Sequence, residues 1–176
     1  MSINTPAITP KITAEQALRR LLTLIGASQS VADFTPGQLE RVMGVPIERA
    51  NDKQYGFGAP LTPQWDIGFG MDYITEGKNE RLRFELDFIP NPSGSSPAMT
   101  GICQFDYDRF TAALEALGFH REPYYDPLAP WPSHRLMYDS FEHPDKRMRI
   151  EVSPRGEASE PLEKITHNCV ETIFIN

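Results

Sequence analysis

The chain has few cysteines and no long apolar run, and each shortage argues against a class of protein. Only Cys103 and Cys169 are cysteines among 176 residues, too few for a disulfide scaffold and typical of a reducing cytoplasm. No apolar run approaches the roughly 20 residues that cross a bilayer. Residues 1–10 lack the basic and apolar regions of a secretory signal. We therefore expect a cytoplasmic protein that does not enter a membrane.

Positively charged residues are also outnumbered. The chain has 17 Lys and Arg against 24 Asp and Glu, which gives a net charge of -7. This balance disfavours nucleic acid as a direct partner, because such binding depends on neutralising phosphates. The aromatic content of 10% indicates a folded protein with a real core.

The common catalytic signatures are missing from the sequence. No glycine-rich loop precedes a helix, because Gly56, Gly58, Gly68 and Gly70 alternate within strand-like sequence. No serine lies in a G-x-S-x-G turn. The two cysteines form no C-x-x-C pair, which argues against thioredoxin-like and zinc-ribbon sites. We expect no catalytic residues, no cofactor and no metal.

Three helices are predicted from capping residues and apolar spacing. The first runs from about Thr13 to Ile25, where Thr13 and Gln16 form a capping box and apolar residues recur every three or four positions. The second begins at Thr35 and ends at Gly44. The third begins after Asp106 and stops at Gly118.

The remainder predicts strands. Residues 81–88 and 147–152 alternate strictly between polar and apolar, and each forms a predicted hairpin with the preceding segment, 65–74 or 135–141. Further strands are predicted at 119–125, 169–175 and, from a weaker pattern, 99–105. Residues 54–58 are interpreted as an aromatic loop.

A short internal repeat relates the two halves. Pro60-Leu-Thr-Pro63 matches Pro127-Leu-Ala-Pro130, and Arg81-Leu-Arg-Phe-Glu-Leu86 matches Arg147-Met-Arg-Ile-Glu-Val152. Two unrelated hairpins could share this pattern, but it favours two similar helix-plus-hairpin modules. We predict an α+β fold with antiparallel hairpins in one or two sheets and three helices on one face. Residues 1–90 would hold the first module and residues 98–176 the second, or both would form one compact domain.

Aromatic residues on loops and strands are the candidate contacts for a partner protein. Trp131 lies between two prolines that hold its loop extended, with two tyrosines nearby. Rigid aromatic side chains lose little entropy on docking. The candidate contact residues are Tyr55, Phe57, Trp65, Tyr124, Tyr125, Trp131 and Glu142.

A second set of residues could hold a metal or a small molecule. Glu85 and Glu151 occupy equivalent positions of the repeat and would face each other if the modules packed about a twofold axis, with His134 close by. Each glutamate also lies two residues from an arginine on a polar strand face. Arg–Glu pairs on a solvated strand explain that pattern without chemistry.

Residues 99–154 resemble a βαβββ module of the vicinal oxygen chelate (glyoxalase/bleomycin-resistance) superfamily. The similarity lies in the helix ending Ala116-Leu-Gly-Phe119 and in the hairpin from Glu142 to Val152. That resemblance implies two paired modules with a metal-ligating glutamate on the last strand of each, here Glu151 and Glu85. Residues 99–105 contain no histidine ligand, so the resemblance favours the fold over the metal chemistry.

As a compact acidic chain with aromatic loops and no catalytic signature, the protein also resembles small cytoplasmic immunity proteins that neutralise bacterial toxins. Residues 35–46, followed by aromatic strands, are similar to the helix-plus-sheet modules of β-lactamase inhibitor proteins. The resemblance implies a non-catalytic inhibitor that covers the active site of a cognate toxin, which charge complementarity predicts to be basic. The alternative is a small-molecule or metal pocket between the two modules.

Overall fold

The computed structural model describes residues 11–129 and 135–176. Its helices are α1 (Ala14–Ala27), α2 (Pro36–Met43), α3 (Tyr107–Ala116) and α4 (Leu162–Thr166). Its strands are β1 (Glu48–Arg49), β2 (Tyr55–Thr62), β3 (Trp65–Glu76), β4 (Asn79–Pro90), β5 (His120–Tyr125), β6 (Leu136–Glu142), β7 (Arg149–Gly156) and β8 (Asn168–Ile175). All eight strands form one antiparallel sheet in the order β1-β2-β3-β4-β8-β7-β6-β5. The α+β prediction is confirmed, with a single sheet.

The three predicted helices are present, and their capping signals act as expected. The Thr13 hydroxyl accepts a hydrogen bond from the Gln16 backbone N–H at 3.1 Å, and the Gln16 side chain accepts one from the Thr13 backbone N–H at 3.0 Å. Gly44 ends α2 with a φ of 69°, which a side chain would strain. Five-residue α4 was missed, because it is too short to show a helical apolar stripe. None of these helices, within the described ranges, is long and apolar enough to span a membrane.

The core lies on one face of the sheet. Directly paired residues on neighbouring strands point to the same side, and Phe84, Ile175 and Ile150 form such a row across β4, β8 and β7. All three are fully buried, as are Leu21 of α1 and Leu114 of α3, and they belong to one hydrophobic cluster. The strict alternation seen in the sequence therefore marks this face correctly.

Two expectations about the strands are wrong. Residues 99–105 form a 3-10 turn (Thr100–Ile102) with a short connection, because the buried residues Met99, Ile102 and Phe105 recur every three positions and not every two. The expected aromatic loop at 54–58 largely belongs to β2, which pairs with β3 from Tyr55 onwards. The two glycines in this segment do not end the strand.

Cys103 and Cys169 are joined by a disulfide bond across a separation of 66 residues. The bond connects the turn before α3 to β8. The sequence, with too few cysteines for a disulfide scaffold, did not predict this bond. The fold brings together two cysteines that no short spacing relates. Disulfides are rare in the cytosol, and the cytoplasmic location stays a prediction.

Each half contains a helix, a strand and then a hairpin (β3–β4 or β6–β7), but the two hairpins have mirrored positions in the sheet. β4 and β7 both run antiparallel to β8, so they are parallel to each other, and their core residues face the same side. In the sheet, β3 lies to one side of β4 and β6 lies to the opposite side of β7, with β8 between the two hairpins. No rotation superposes the β3–β4 hairpin on the β6–β7 hairpin while keeping the same face toward the core. The duplication of the modules stays a prediction.

A buried polar cluster ties α3 to the second half of the sheet. The Tyr107 hydroxyl contacts Asp139 Oδ2 at 2.7 Å and the Val152 carbonyl oxygen at 2.9 Å. Arg121 donates to the same Asp139 oxygen at 2.6 Å, and Asp139 is fully buried. Burial and the hydrogen bond with Asp139 raise the pKa of Tyr107 far above its ordinary value. The tyrosine therefore remains a neutral donor.

Candidate binding face

The sheet face opposite the core carries a row of small and acidic residues. The row crosses all eight strands in register, and its central members are Glu85 on β4, Phe174 on β8 and Glu151 on β7. From one end to the other it contains Glu48, Gly56, Gly70, Glu85, Phe174, Glu151, Ser140 and Glu122. We call this side of the sheet the outer face.

A groove of about 650 Å³ lies on the part of the outer face formed by β2, β3 and β4. Its floor is made of four glycines, Gly56, Gly58, Gly68 and Gly70, which pair as Gly56 with Gly70 and Gly58 with Gly68. With no side chains on these positions, the backbone itself forms the surface. The groove is lined further by Glu48, Arg49, Ala50, Gln54, Asp72, Glu85 and Asp87, among others. We call it the glycine groove.

The two pairs of floor positions are occupied by glycine for different structural reasons. A Cβ atom on Gly70 would lie 2.8 Å from the Cα atom of Gly56, so this pair is required by close backbone approach. A Cβ atom on Gly58 would meet nothing nearer than 3.8 Å, and one on Gly68 would touch only the Ile89 side chain at 3.4 Å. The fold tolerates side chains at this second pair, whose glycines keep the groove open.

Carboxylates on β3 and β4 give one wall of the groove a negative potential. A hydrogen bond with Asp87, together with partial burial, raises the pKa of Glu85 to about 7. The Thr172 hydroxyl donates to Asp87 Oδ1 at 2.6 Å and fixes that carboxylate. Arg83 contacts Glu85 at 3.4 Å while its guanidinium lies 4.5 Å from the centre of the Phe174 ring. Near neutral pH Glu85 is therefore protonated in part of the molecules, and a nearby cation favours its ionised form.

The opposite end of the outer face, on β5 and β6, is aromatic. Tyr124 is about half exposed and stacks on Tyr138, with the ring centres 4.9 Å apart. Glu142 at the end of β6 lies 3.8 Å from Arg149, which also contacts Glu151 at 3.3 Å. An exposed tyrosine stacked on a half-buried one offers a rigid apolar contact beside charged groups.

The structure separates the sequence-predicted contact residues into two groups. Trp65 and Phe57 are core side chains, and the Trp65 indole N–H donates to the Ala98 carbonyl at 3.0 Å. Their interpretation as partner contacts is therefore corrected: on an alternating strand both point inward. Tyr55 is half-buried and its hydroxyl donates to the Phe34 carbonyl oxygen at 3.0 Å.

The other predicted contact residues lie at or near the surface. Tyr124, Tyr125 and Glu142 are exposed on β5 and β6. Trp131 and His134 lie outside the described residues.

Glu85 and Glu151 lie in the same row of the outer face, but Phe174 stands between them. Strands are about 4.8 Å apart, so their backbones are separated by about 10 Å. Each is paired with the arginine two residues before it, Arg83 or Arg149. The arrangement resembles the ion-paired strand face that the sequence allowed, with the pairs formed within each strand.

Sequence reasoning missed the groove itself. The alternating glycines were visible, but the sequence alone did not show that two separate strands would place four of them side by side. Comparison of the chain with family models, with curated proteins and with solved structures gave no match. The geometry of the outer face is therefore the basis on which a function can be proposed.

Proposed function

We propose that this protein is a non-catalytic inhibitor that binds a basic partner protein through the outer face of its sheet. The finer form of the proposal is an immunity protein that neutralises a bacterial toxin by covering its active site. The observation that carries the proposal is the glycine groove, an open surface whose wall is formed by Asp72, Glu85 and Asp87.

Charge supports a basic partner. Four carboxylates (Glu48, Asp72, Glu85 and Asp87) line the groove, against one arginine, Arg49. The whole chain carries a net charge of -7. Complementary charge speeds encounter and rejects acidic partners. A protein that must capture a toxin quickly benefits from both effects.

The floor of the groove supports a long cationic side chain as the group that enters it. Lysine and arginine place apolar methylenes along a surface while the charged head reaches polar groups. The flat backbone of the four glycines provides the surface, and the Glu85–Asp87 pair lies beside it. The Tyr124–Tyr138 stack gives a second, aromatic contact farther along the same face.

The test is capture of a partner from the native host with two charge-matched variants. Asp87→Lys reverses a charge in the groove, whereas Glu115→Lys makes the same change on exposed α3, on the core side of the sheet. We expect wild type and Glu115→Lys to co-elute with one stoichiometric basic protein, and Asp87→Lys to lose it. In co-expression, wild type should also suppress the toxicity of that protein.

Two results would count against the proposal. One is equal retention of the partner by both variants, which would place the contact away from the groove. The other is the absence of any stoichiometric partner from the host lysate. Circular dichroism of Asp87→Lys, compared with wild type, separates loss of binding from loss of folding.

A small-molecule site is the second candidate, because 650 Å³ falls within the usual range of ligand pockets. The sequence placed such a pocket between the modules, with Glu85, Glu151 and His134 around it. The glycine groove lies instead on strands of the first half. A thermal shift on adding divalent cations or small ligands, lost in Gly58→Val and retained in Glu115→Lys, would favour this candidate over protein binding.

A further inference from the structure

The disulfide lies within a cluster of side chains that can ligate a metal. Ligand atoms of Cys103, Cys169 and His167 all lie within 4.8 Å of one another. Both cysteines are buried, and His167 is half-buried between the end of α4 and the start of β8. Two thiolates and an imidazole are a ligand set that zinc prefers. The fold assembles it from residues 66 positions apart in the chain.

Two carboxylates hold the imidazole ring in place. His167 Nδ1 lies 2.8 Å from Glu157 Oε2, and His167 Nε2 lies 3.0 Å from Asp106 Oδ2. Asp106 is itself fixed as the N-cap of α3, where it accepts from the Arg109 backbone N–H at 2.9 Å. A carboxylate on the second ring nitrogen is the usual support of a metal-binding histidine. Here either nitrogen could bind a cation while the other keeps its carboxylate.

The backbone around the cluster is well anchored. The Glu157 N–H donates to the His167 carbonyl at 2.9 Å, and Arg155 pairs with Cys169 across β7 and β8. Glu157 is also paired with Lys164 of α4 at 3.6 Å. The Met99 N–H donates to the Glu157 carbonyl at 2.6 Å and holds the segment that carries Cys103, while the pairing of β7 with β8 holds Cys169. Reduction of the disulfide therefore leaves both cysteines beside the histidine.

We infer that Cys103, Cys169 and His167 form a redox-controlled zinc site, which is a disulfide under oxidising conditions and binds the cation when reduced. In the reduction step a dithiol reductant gives two electrons to the disulfide, becomes a disulfide itself and leaves two thiols on this chain. Zinc then binds both sulfurs as thiolates and releases their two protons. Asp106 or Glu157, freed from one ring nitrogen, is available for the remaining position.

The first experiment titrates the full-length protein with zinc alone, after reduction and anaerobic removal of the reductant. A chromophoric chelator competes for the metal and reports the affinity. We expect the reduced protein to bind one equivalent of zinc in competition with the chelator, and the oxidised protein to bind none under the same conditions. Cobalt in place of zinc should give a thiolate-to-metal charge-transfer band in the near ultraviolet, which only sulfur ligands produce.

Variants locate the site. Cys169→Ser and His167→Gln should each abolish stoichiometric binding, and His167→Gln keeps both cysteines if loss of the disulfide impairs folding. Asp106→Asn preserves the helix cap, and either it or Glu157→Gln should weaken zinc affinity by roughly 10–100-fold. Glu115→Gln, at an exposed position of α3 away from both the disulfide and the groove, is the control and should leave zinc affinity unchanged.

The inference is overturned if reduced, folded wild type binds no zinc. It is equally overturned if Cys169→Ser and His167→Gln bind as well as wild type, because the cation would then occupy another site. Loss of binding in Glu85→Gln alone would assign the metal to the acidic wall of the groove.

Discussion

Gly56 and Gly70 lie directly opposite each other on β2 and β3, closer than any pair of residues with side chains could lie. A Cβ atom on Gly56 would be 2.9 Å from the Cα atom of Gly70, and the reverse distance is 2.8 Å. Two strands approach here through their backbones, and the groove above them exists because of it.

Alanine at Gly70 should destabilise the protein, whereas alanine at Gly58 should not. The added methyl group at Gly70 meets backbone that cannot move aside, and overpacking of this kind costs about 1–3 kcal/mol. At Gly58 the nearest atom is 3.8 Å away. Urea unfolding of Gly70→Ala and Gly58→Ala provides the comparison. Equal urea midpoints for the two variants would show that β2 and β3 can move apart at Gly70 without loss of stability.

Removal of the Asp139 carboxylate should be among the most destabilising single changes. Asp139→Ala leaves Arg121 and the buried Tyr107 hydroxyl without their shared acceptor, and breaking a buried pair in this way costs about 3–5 kcal/mol. Glu80→Ala removes one partner of an exposed pair with Lys53, which is worth at most about 1 kcal/mol. Unfolding free energies of the two variants should differ accordingly, and similar values would contradict the cluster.

Glu85 should make stability depend on pH near neutrality. Its pKa in the folded protein is about 7, above the ordinary value of 4.5. As the pH rises, the unfolded chain therefore loses the Glu85 proton at a lower pH than the folded protein does. The stabilisation that protonated Glu85 contributes is complete below pH 4.5 and is lost as the pH rises through about 7.

Glu85→Gln should flatten this part of the pH profile. Between about pH 5 and about pH 8, the free energy of unfolding of this variant, measured with urea, should fall less than that of wild type. Glu115→Gln, which removes an exposed carboxylate on α3, should keep the wild-type slope. A wild-type slope in Glu85→Gln would show that another group titrates.

The disulfide should contribute substantially to stability in the absence of metal. It closes a loop of 66 residues in the unfolded chain, and the chain-entropy relation gives about 4 kcal/mol for that length. Reduction of metal-free wild type should lower the urea midpoint, whereas the same reductant should leave Cys103→Ser unchanged. A wild-type midpoint that does not respond to reductant would show that the bond is dispensable.

Local signals predicted most of the secondary structure, because capping boxes and strict alternation act within a few residues. Thr13 with Gln16, and the segment 81–88, are examples in which short-range chemistry decides the element. The prediction of a strand at 99–105 is wrong because apolar side chains at a spacing of three are typical of a helical turn and not of a strand. Phe57 and Trp65 are core residues because they lie on the inward face of alternating strands, which their aromatic character alone does not reveal.

The candidate site could not be predicted, because it depends on contacts between distant residues. The glycine groove needs the register of β2 against β3, and the metal-ligand cluster needs residue 103 beside residue 169. A sequence spacing rule such as C-x-x-C cannot detect ligands that only the fold brings together. The mirrored order of the two halves was likewise hidden, since the repeated segments look alike in sequence.

β8 is the last strand along the chain, yet it occupies the middle of the sheet between β4 and β7. During synthesis on a ribosome the first half emerges early, and one edge of β4 stays unpaired until β8 has been made. One edge of β7 also stays unpaired until β8 is available. Both halves are thus joined through the last strand to be made. The row on the outer face, which crosses this junction at Phe174, becomes complete only when the two halves have joined.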